Sequence, residues 1–297
     1  MPFTNEQLVE RRRYIGGSEA ASAVGLSGWF TPYELYLSKI GKGEPIEETL
    51  PMMVGTALEP VILRWFEKES GLTLSGFQEV VTDRAIPWRR ATLDAKASDG
   101  GNVQAKASGV YGWWGKEEDA IPEGVIVQCQ HEMACNDATH TWVPVIIGQR
   151  KFNIYRIDRS EEMIEHLTAG EAEFMRRVHD FDPPPPTDHA DLKLRYPVDT
   201  GIELVATAEI QEIALALADT KKKLKAMEVT EDAQAFQIKN FMGDAAVLVD
   251  YNRMPLFTYK SNVERRMDVT TFRKDHPALA EHYSPEKTVR KLLCKVK

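Results

Sequence analysis

The sequence predicts an α/β fold, a mixed β-sheet flanked by helices, followed by an accessory C-terminal α+β region. Helical patterns alternate with short β-rich runs as far as residue 182, which is typical of a sheet that carries helices on its faces. Four consecutive prolines then form a stiff, extended spacer, and a long helical pattern and a hairpin follow it. We therefore predict a core over 1–182, a proline-rich linker over 183–190 and an accessory region over 191–297.

Composition limits the classes of protein to consider. The chain has 297 residues, of which 43% are hydrophobic, enough for a sizeable buried core. Its formal net charge of −8 means that nucleic-acid binding would use a local basic patch. The polar N-terminal segment is unlike a signal peptide, and no apolar run reaches the ~18 residues of a membrane span, so we expect a cytoplasmic protein without membrane contact. The three cysteines lack the CxxC and CxxH spacings of a zinc site.

A basic segment precedes the first predicted helix, in the run RRRYIGGSEAA. Ser18 is predicted to cap a helix that begins near Glu19. Backbone N–H groups there, together with Ser18 and one or two of Arg11, Arg12 and Arg13, would suit a phosphate group. The alternative is an ordinary capped helix with a solvated basic lead-in.

Two helices are predicted next. The first has Pro32 in its first turn and ends at Gly41. The second covers 54–70 and ends at Gly71. Its apolar face shows three- and four-residue spacing and consists of Leu58, Val61, Ile62, Trp65 and Phe66.

Glu59 lies beside this apolar face rather than opposite it. A carboxylate in such a position needs a partner, because an unpaired charge in apolar surroundings is costly. One candidate partner is a divalent metal ion. The other is an arginine or a backbone N–H group.

Three β-rich runs follow at 76–83, 88–96 and 102–108, with a hairpin turn in the run SDGGN. Because side chains alternate across a strand, Gln104 and Lys106 should point to the same face. Asp94, near the end of the second run, can converge on that face.

These residues suit the hydrolysis of a phosphodiester. The reaction needs carboxylates that hold Mg²⁺ or Mn²⁺, and a cation that orients the attacking water and balances the growing negative charge. Asp94 and Glu59 can meet the first need and Lys106 the second. A solvated hairpin that carries such residues by chance is the alternative.

The rest of the core completes the α/β order. A helix is predicted around Gln128 and Glu132, which share one face, and the strands 142–147 and 151–158 follow it. Ser160 is predicted to cap a further helix.

Together, the motifs IGGSEAA, GTALEP, LDAK, VQAKAS and VQCQHEMA stand in order between residues 8 and 178. In this order they resemble the YqaJ-type viral recombinase family, the lambda-exonuclease-like members of the PD-(D/E)XK nuclease superfamily. The resemblance implies a restriction-endonuclease-like core. It also implies Mg²⁺ or Mn²⁺ as cofactor, and Gln128 and Lys106 in the site, where Lys106 orients the nucleophile.

The implied site has three groups of residues. The implied catalytic residues are Asp94, Gln104, Lys106, Glu59 and Gln128. The implied metal ligands are Asp94, Gln104, Glu59 and Ala105. The implied DNA-phosphate contacts are Arg11, Arg12 and Ser18.

Gln104 departs from the family pattern, which has glutamate there. The amide keeps one oxygen ligand but removes a full negative charge from the metal site. Three explanations are open: a tolerated change for which Glu59 supplies the charge, a degenerate DNA-binding protein, or an engineered change that traps a complex. A smaller departure is Ala95, where the family usually has glycine.

The accessory region begins with a predicted long helix whose apolar stripe includes Ile210, Ile213, Leu217 and Leu224. A hairpin is predicted to follow. Basic residues between Lys287 and Lys297 suggest either a contact to the DNA backbone or a solvated tail.

The function predicted from the resemblance is digestion of one strand of linear double-stranded DNA, 5′→3′, in phage-type homologous recombination. The alternative is a non-catalytic protein that binds DNA ends. The resemblance also suggests a ring-shaped homo-oligomer and a single-strand annealing protein as partner. An RNA nuclease is disfavoured, because the aromatic stacking motifs of the usual RNA modules are not evident in the sequence.

Overall fold

The structure, a computed structural model, describes residues 9–26, 29–43, 48–109, 114, 121–148, 151–286 and 288–295. The chain divides into two compact units, Met1–Arg195 and Tyr196–Lys297. The four prolines lie within the first unit, where Arg195 Nη1 donates to the carbonyl of Pro184 at 2.6 Å. The core, linker and accessory boundaries expected from the sequence stay a prediction.

The first unit contains both helices and strands. Its helices are α1 (Gly17–Ala23), α2 (Pro32–Lys39), α3 (Leu50–Ser70), α4 (Glu123–Asn136), α5 (Glu161–Asp180) and α6 (His189–Arg195). Its strands are β1 (Leu74–Ser75), β2 (Glu79–Thr82), β3 (Arg90–Leu93), β4 (Ala95–Ala97), β5 (Asn102–Val103), β6 (Lys106–Ser108), β7 (His140–Ile147) and β8 (Lys151–Asp158).

A six-stranded mixed sheet forms the centre of this unit. Its order is β1-β4-β5-β7-β6, with β8 also paired to β7, while β2 and β3 form a separate two-stranded sheet. Strands β5 and β6 run parallel to β7, and the other pairs in the main sheet are antiparallel. The predicted mixed sheet is confirmed.

Helices cover both faces of the main sheet. Phe66 of α3 packs with Val103 and Trp142 on one face. Met133 of α4 packs with Val143 on the other, since neighbouring residues of β7 point to opposite sides. Helices α1 and α5 pack on α4, and α2 packs on α1 and α5. The flanking helices of the predicted α/β fold are therefore confirmed.

Helix α3 differs in detail from its prediction. It begins at Leu50 and ends where Gly71 adopts a left-handed conformation with φ of 72°, as a C-terminal glycine allows. Trp65 was predicted on the buried face, but this is wrong, because 47% of its surface is exposed. Leu63 is buried in the core instead.

The second unit contains a long helix and a hairpin, as predicted. Its elements are α7 (Ala208–Met242), β9 (Val247–Val249), β10 (Pro255–Thr258), α8 (Val269–Asp275) and α9 (Pro277–His282). The stripe of α7 is exposed at Ile210, Ile213, Leu217 and Leu224.

The basic C-terminal tail lies partly outside the described residues, which exclude Lys287 and Lys297. Within the described part, Arg290 Nη1 donates to the carbonyl of Tyr196 at 3.0 Å. No helix in the described ranges combines the length and apolarity needed to cross a membrane.

Candidate active site

Asp94 lies between β3 and β4. The run 102–108, predicted as a single strand, forms two strands, β5 and β6, with a break at Gln104 and Ala105 beside Asp94. The Ala105 N–H donates to Asp94 Oδ2 at 2.8 Å. Gln104 still donates its own N–H to the carbonyl of Trp142 at 2.9 Å, and β6 resumes pairing with β7 at Lys106. The short break thus fixes the Asp94 carboxylate against the sheet.

The side-chain amide of Gln104 has a defined orientation. Its Nε2 donates to Asp94 Oδ2 at 2.8 Å, and two acceptor oxygens in this position would repel each other. Gln104 is only 5% exposed. Its Oε1 is buried and has no hydrogen-bond partner within the described part of the chain. A buried acceptor of this kind is suited to a cation or a donor supplied from outside.

Lys106 and α4 are joined by a short chain of hydrogen bonds. Lys106 Nζ donates to Gln128 Oε1 at 2.8 Å, and Gln128 Nε2 donates to Glu132 Oε1 at 2.8 Å. This directs the Lys106 ammonium toward Gln128 on α4. It also brings Gln128, placed in the site only by resemblance, beside Lys106.

Glu132 is a site residue that the sequence did not identify. Only 1% of it is exposed, and its Oε2 is buried without a hydrogen-bond partner among the described residues. A Cβ at Gly17 would lie 2.8 Å from Glu132 Oε1, so the absence of a side chain in the first residue of α1 leaves room for this carboxylate. Its spacing of four residues from Gln128 was the available signal, but helical periodicity alone does not identify a buried charge.

The N-terminal segment forms one wall of the site and is fixed to β3. Ile15 N–H donates to the carbonyl of Trp88 at 2.8 Å, and Arg90 N–H donates to the carbonyl of Ile15 at 3.1 Å. Lys39 is buried and donates to the carbonyl of Arg11 at 2.7 Å and of Tyr14 at 2.5 Å. These contacts fix the chain that leads into α1.

The predicted helix cap in this segment is wrong. Ser18 does not cap the helix: α1 begins at Gly17 and its N-cap is Gly16, whose N–H donates to Glu19 Oε2 at 2.9 Å. The hydroxyl of Ser18 is therefore not required for capping.

The guanidinium of Arg12 lies against Gly41, where an added Cβ would come 2.7 Å from Nη1. Arg12 is not among the residues that line the cleft at the sheet, and its contact to a DNA phosphate stays a prediction.

A cleft of about 100 Å³ joins these parts. The residues that line it are Arg11, Tyr14, Gly16, Gly17, Ser18, Arg90, Ala91, Thr92, Asp94, Gln104, Gln128 and Glu132. The structure thus brings Arg11 and Ser18 together with Asp94, Gln104 and Gln128. Arg90 and Tyr14 are additions that no local sequence pattern indicated.

The carboxylates at the cleft influence each other. Burial and the nearby charge of Glu59 raise the pKa of Asp94 to about 7. Burial and the charge of Asp94 raise the pKa of Glu132 to about 7. Lys106 opposes both shifts. A cation bound among these groups would relieve their mutual repulsion.

Glu59 lies on α3, outside the set that lines the cleft. Its Oε1 accepts from Gln78 Nε2 at 2.8 Å, and burial raises the pKa of Glu59. No cluster of three or more His, Cys, Asp or Glu side chains arranged for a metal occurs within the described ranges. A cation at this site would therefore need amide or main-chain oxygens, such as those of Gln104 and Ala105, besides carboxylates.

A buried ionic network supports the cleft from behind. His131 Nδ1 lies 2.7 Å from Glu171 Oε1, and its Nε2 lies 3.1 Å from the carbonyl of Arg90. Both partners accept hydrogen bonds, so both ring nitrogens donate. Burial alone would lower the pKa of His131, but the Glu171 carboxylate raises it well above its usual value. Arg89 Nε completes the network by donating to Glu171 Oε2 at 3.2 Å.

Comparison with known proteins shows what this region is similar to. Residues 8–139 match the family model of the YqaJ-like viral recombinase domain. The predicted family resemblance is confirmed, and the matched segment includes Asp94, Gln104, Lys106 and Glu132.

Individual relatives match longer parts of the chain. Uncharacterized protein YqaJ of Bacillus subtilis (strain 168) is 31% identical over 185 residues, which is 57% of this chain and 54% of that protein. The chain thus spans about half the length of this curated relative.

Among solved structures, an alkaline exonuclease from Laribacter hongkongensis has a TM-score of 0.49 and 18% identity, over 60% of this chain and 94% of that one. A phage-related exonuclease from Haemophilus somnus 129PT has a TM-score of 0.48 and 14% identity, over 57% of this chain and 94% of that one.

Proposed function

We propose that the chain is a metal-dependent exonuclease that digests one strand of linear double-stranded DNA, 5′→3′, in phage-type homologous recombination. The observation that carries the proposal is the cleft that places Asp94 and Gln104 beside two arginines, Arg11 and Arg90, with Lys106 directed toward it. The match to the YqaJ-like viral recombinase domain supports a role in recombination.

The oxygens at the sheet fit a hard divalent cation such as Mg²⁺ or Mn²⁺. Asp94 offers a carboxylate, and the unpartnered Oε1 of Gln104 offers a neutral oxygen. The main-chain oxygen of Ala105 and the carboxylate of Glu59 are the further ligands that the family resemblance implies. When bound, the cation supplies polarisation of a phosphoryl oxygen of the scissile phosphate.

Lys106 is the proposed catalytic cation of the chain itself. Gln128 accepts one of its three N–H groups, so two remain for the attacking water and a phosphate oxygen. In the partly buried cleft, the ammonium balances the negative charge that grows on the phosphate during attack. Gln128 acts as a positioning residue that holds Lys106.

The wall formed by the N-terminal segment is the proposed binding site for the DNA 5′ phosphate. Arg11 Nη2 lies 3.0 Å from Glu19 Oε1. Arg90 Nη1 of β3 lies 2.6 Å from Oε1 of Glu10, which belongs to the N-terminal segment. Guanidinium groups held in this way present planar donors to a phosphate. Ser18, which the helix does not need as a cap, adds a hydroxyl. Such contacts bind the DNA backbone and are independent of its sequence.

The test is digestion of linear duplex DNA by the full chain, with strands labelled at the 5′ or the 3′ end and with closed circular duplex as control. Mg²⁺ and Mn²⁺ are titrated from zero. The proposal expects metal-dependent release of nucleotides from the 5′ ends of linear DNA only. If linear DNA is bound but never cut at any metal concentration, the chain is instead a DNA-end-binding protein. Gln104, which removes a charge from the site, is the observation that favours this second function.

We also propose that the protein acts as a ring-shaped homo-oligomer on DNA ends and delivers the remaining strand to a single-strand annealing protein. The support is the family resemblance. Light scattering of the purified full chain would measure its mass, and a monomer that digests long DNA processively would contradict the ring.

A further inference from the structure

We propose that Glu132 is a metal ligand, and that it supplies to the divalent cation the negative charge that Gln104 lacks. The inference rests on the proposed metal-dependent site and deepens it. In this chain the carboxylate expected on the strand would be provided by the neighbouring helix α4.

The first step of the argument is the state of Gln104. Its amide nitrogen is committed to Asp94, and its Oε1 is buried without a partner in the described part of the structure. The residue can therefore still contribute an oxygen, but a neutral one. A site for Mg²⁺ or Mn²⁺ that depends on Asp94 alone for charge would bind the cation weakly, because ligand charge sets affinity for hard cations.

The second step is the state of Glu132. Its Oε1 is held by Gln128, while Oε2, buried on a residue only 1% exposed, meets no donor from any described residue. Burial of an ionised carboxylate without compensation is strongly unfavourable. Glu132 lines the same cleft as Asp94 and Gln104, so a cation there has access to all three side chains.

The third step is the surrounding packing, which keeps Glu132 in this position. Lys106 binds Gln128, and Gln128 binds Glu132, so the carboxylate and the catalytic lysine are positioned by one side chain. Gly17 leaves the space that the carboxylate occupies. This arrangement distinguishes Glu132 from Glu59, which is bonded to Gln78 and does not line the cleft.

The experiment is a cycle of four full-length proteins: native, Gln104→Glu, Glu132→Gln, and the charge swap Gln104→Glu with Glu132→Gln. Mn²⁺ binding is measured by calorimetry without DNA, and digestion of linear duplex is measured in parallel. Glu123→Gln is the matched control, because it makes the same change at an exposed position of the same helix.

The proposal expects Glu132→Gln to weaken Mn²⁺ binding by about tenfold or more, as loss of a charged ligand should. The charge swap should bind Mn²⁺ within about threefold of the native protein, because the carboxylate at position 104 replaces the one lost at position 132. Glu123→Gln should bind as the native protein does.

Mn²⁺ affinity that is unchanged in Glu132→Gln would overturn the proposal and show a protonated, structural glutamate that glutamine can replace. If Glu132→Gln does not fold, the comparison of the two remaining variants decides. Gln104→Glu should then bind Mn²⁺ about tenfold more tightly than the charge swap, and equal affinities would overturn the proposal.

The two readouts separate this inference from the proposed function. Digestion by the native protein, together with unchanged Mn²⁺ affinity in Glu132→Gln, overturns the inference alone. Loss of Mn²⁺ affinity in Glu132→Gln, in a native protein that never cuts linear duplex, supports the inference and overturns the nuclease function.

Discussion

The two sides of the cleft differ in how the chain builds them. The strand side, defined as Asp94, Gln104 and Lys106, comes from the β4–β5 hairpin and the break before β6, where Gln104 and Ala105 both donate to Asp94. The helix side, defined as Gln128 and Glu132, reaches the same space only because α4 packs on the sheet. The strand side carries an amide where the family resemblance predicts a carboxylate, and the helix side carries a buried carboxylate. The charge available to a bound cation is therefore set by all the side chains around the cleft, and not by a single sequence motif.

The largest expected effect comes from the strand side. Lys106→Ala should reduce cleavage of linear duplex by about 10²–10⁴-fold, because the ammonium acts on the reacting groups. DNA binding should change little. Lys96→Ala is the matched control, since Lys96 lies on β4 of the same sheet and pairs with Glu79 at 2.7 Å. Paired binding and digestion assays measure both effects, and undiminished cleavage by Lys106→Ala would remove it from the site.

The second prediction concerns the stability of the helix side, which should depend on the buried ionic network of Arg89, His131 and Glu171. Glu171→Ala leaves the buried charges of Arg89 and His131 without their partner, and we expect a loss of about 3–5 kcal/mol in the free energy of unfolding. Denaturant titration measures it. Glu173→Ala is the control in the same helix, because its pairing with Arg176 is exposed and should contribute little. Equal effects of the two changes would mean that the network does not support α4.

The third prediction changes the space around Glu132 on the helix side without changing any charge. Gly17→Ala should displace Glu132, because its Cβ would lie 2.8 Å from Oε1, and weaken Mn²⁺ binding by about tenfold at most. Gly124→Ala is the control, since its nearest neighbour, Ala21 Cβ, would be 3.9 Å away. Calorimetry with Mn²⁺ compares the two. A Gly17→Ala protein with native affinity would show that the helix side tolerates movement of Glu132.

The smallest expected effect concerns the wall of the cleft that the N-terminal segment forms. If Arg11 binds the terminal phosphate, 5′-phosphorylated duplex should be digested up to about tenfold faster than dephosphorylated duplex. Arg11→Ala should remove most of this difference, and Arg12→Ala, which lies outside the cleft, should preserve it. Rates are compared on matched ends. The same preference in all three proteins would exclude Arg11 from phosphate recognition.

The fold was predictable from the sequence to the extent that its signals are local. Periodicity and capping residues indicated α2, α3 and α5, and strand alternation with a glycine-rich turn indicated the antiparallel pair β4 and β5. Trp65 was predicted on the buried face because its spacing fits the apolar pattern. Its ring packs on Phe152 of β8, but 47% of its surface stays exposed.

The site residues likewise divide into those that local sequence signals predict and those that depend on tertiary packing. Strand spacing predicted Gln104 and Lys106 on one face, but nothing local showed that Glu132 would be buried beside them. Glu171 lies 40 residues from His131 and 82 residues from Arg89, so their network depends on tertiary packing alone. Arg90 and Tyr14 became part of the cleft through the bridge at Ile15, which joins distant segments.

The break between β5 and β6 also provides a means of observing the site in solution. The Ala105 amide proton is bonded to a side-chain carboxylate instead of a strand carbonyl. Its exchange with solvent deuterons therefore reports how often Asp94 separates from the sheet. Because this proton belongs to the main chain, hydrogen exchange can follow the carboxylate in the resting protein, without substrate, cleavage or any substitution.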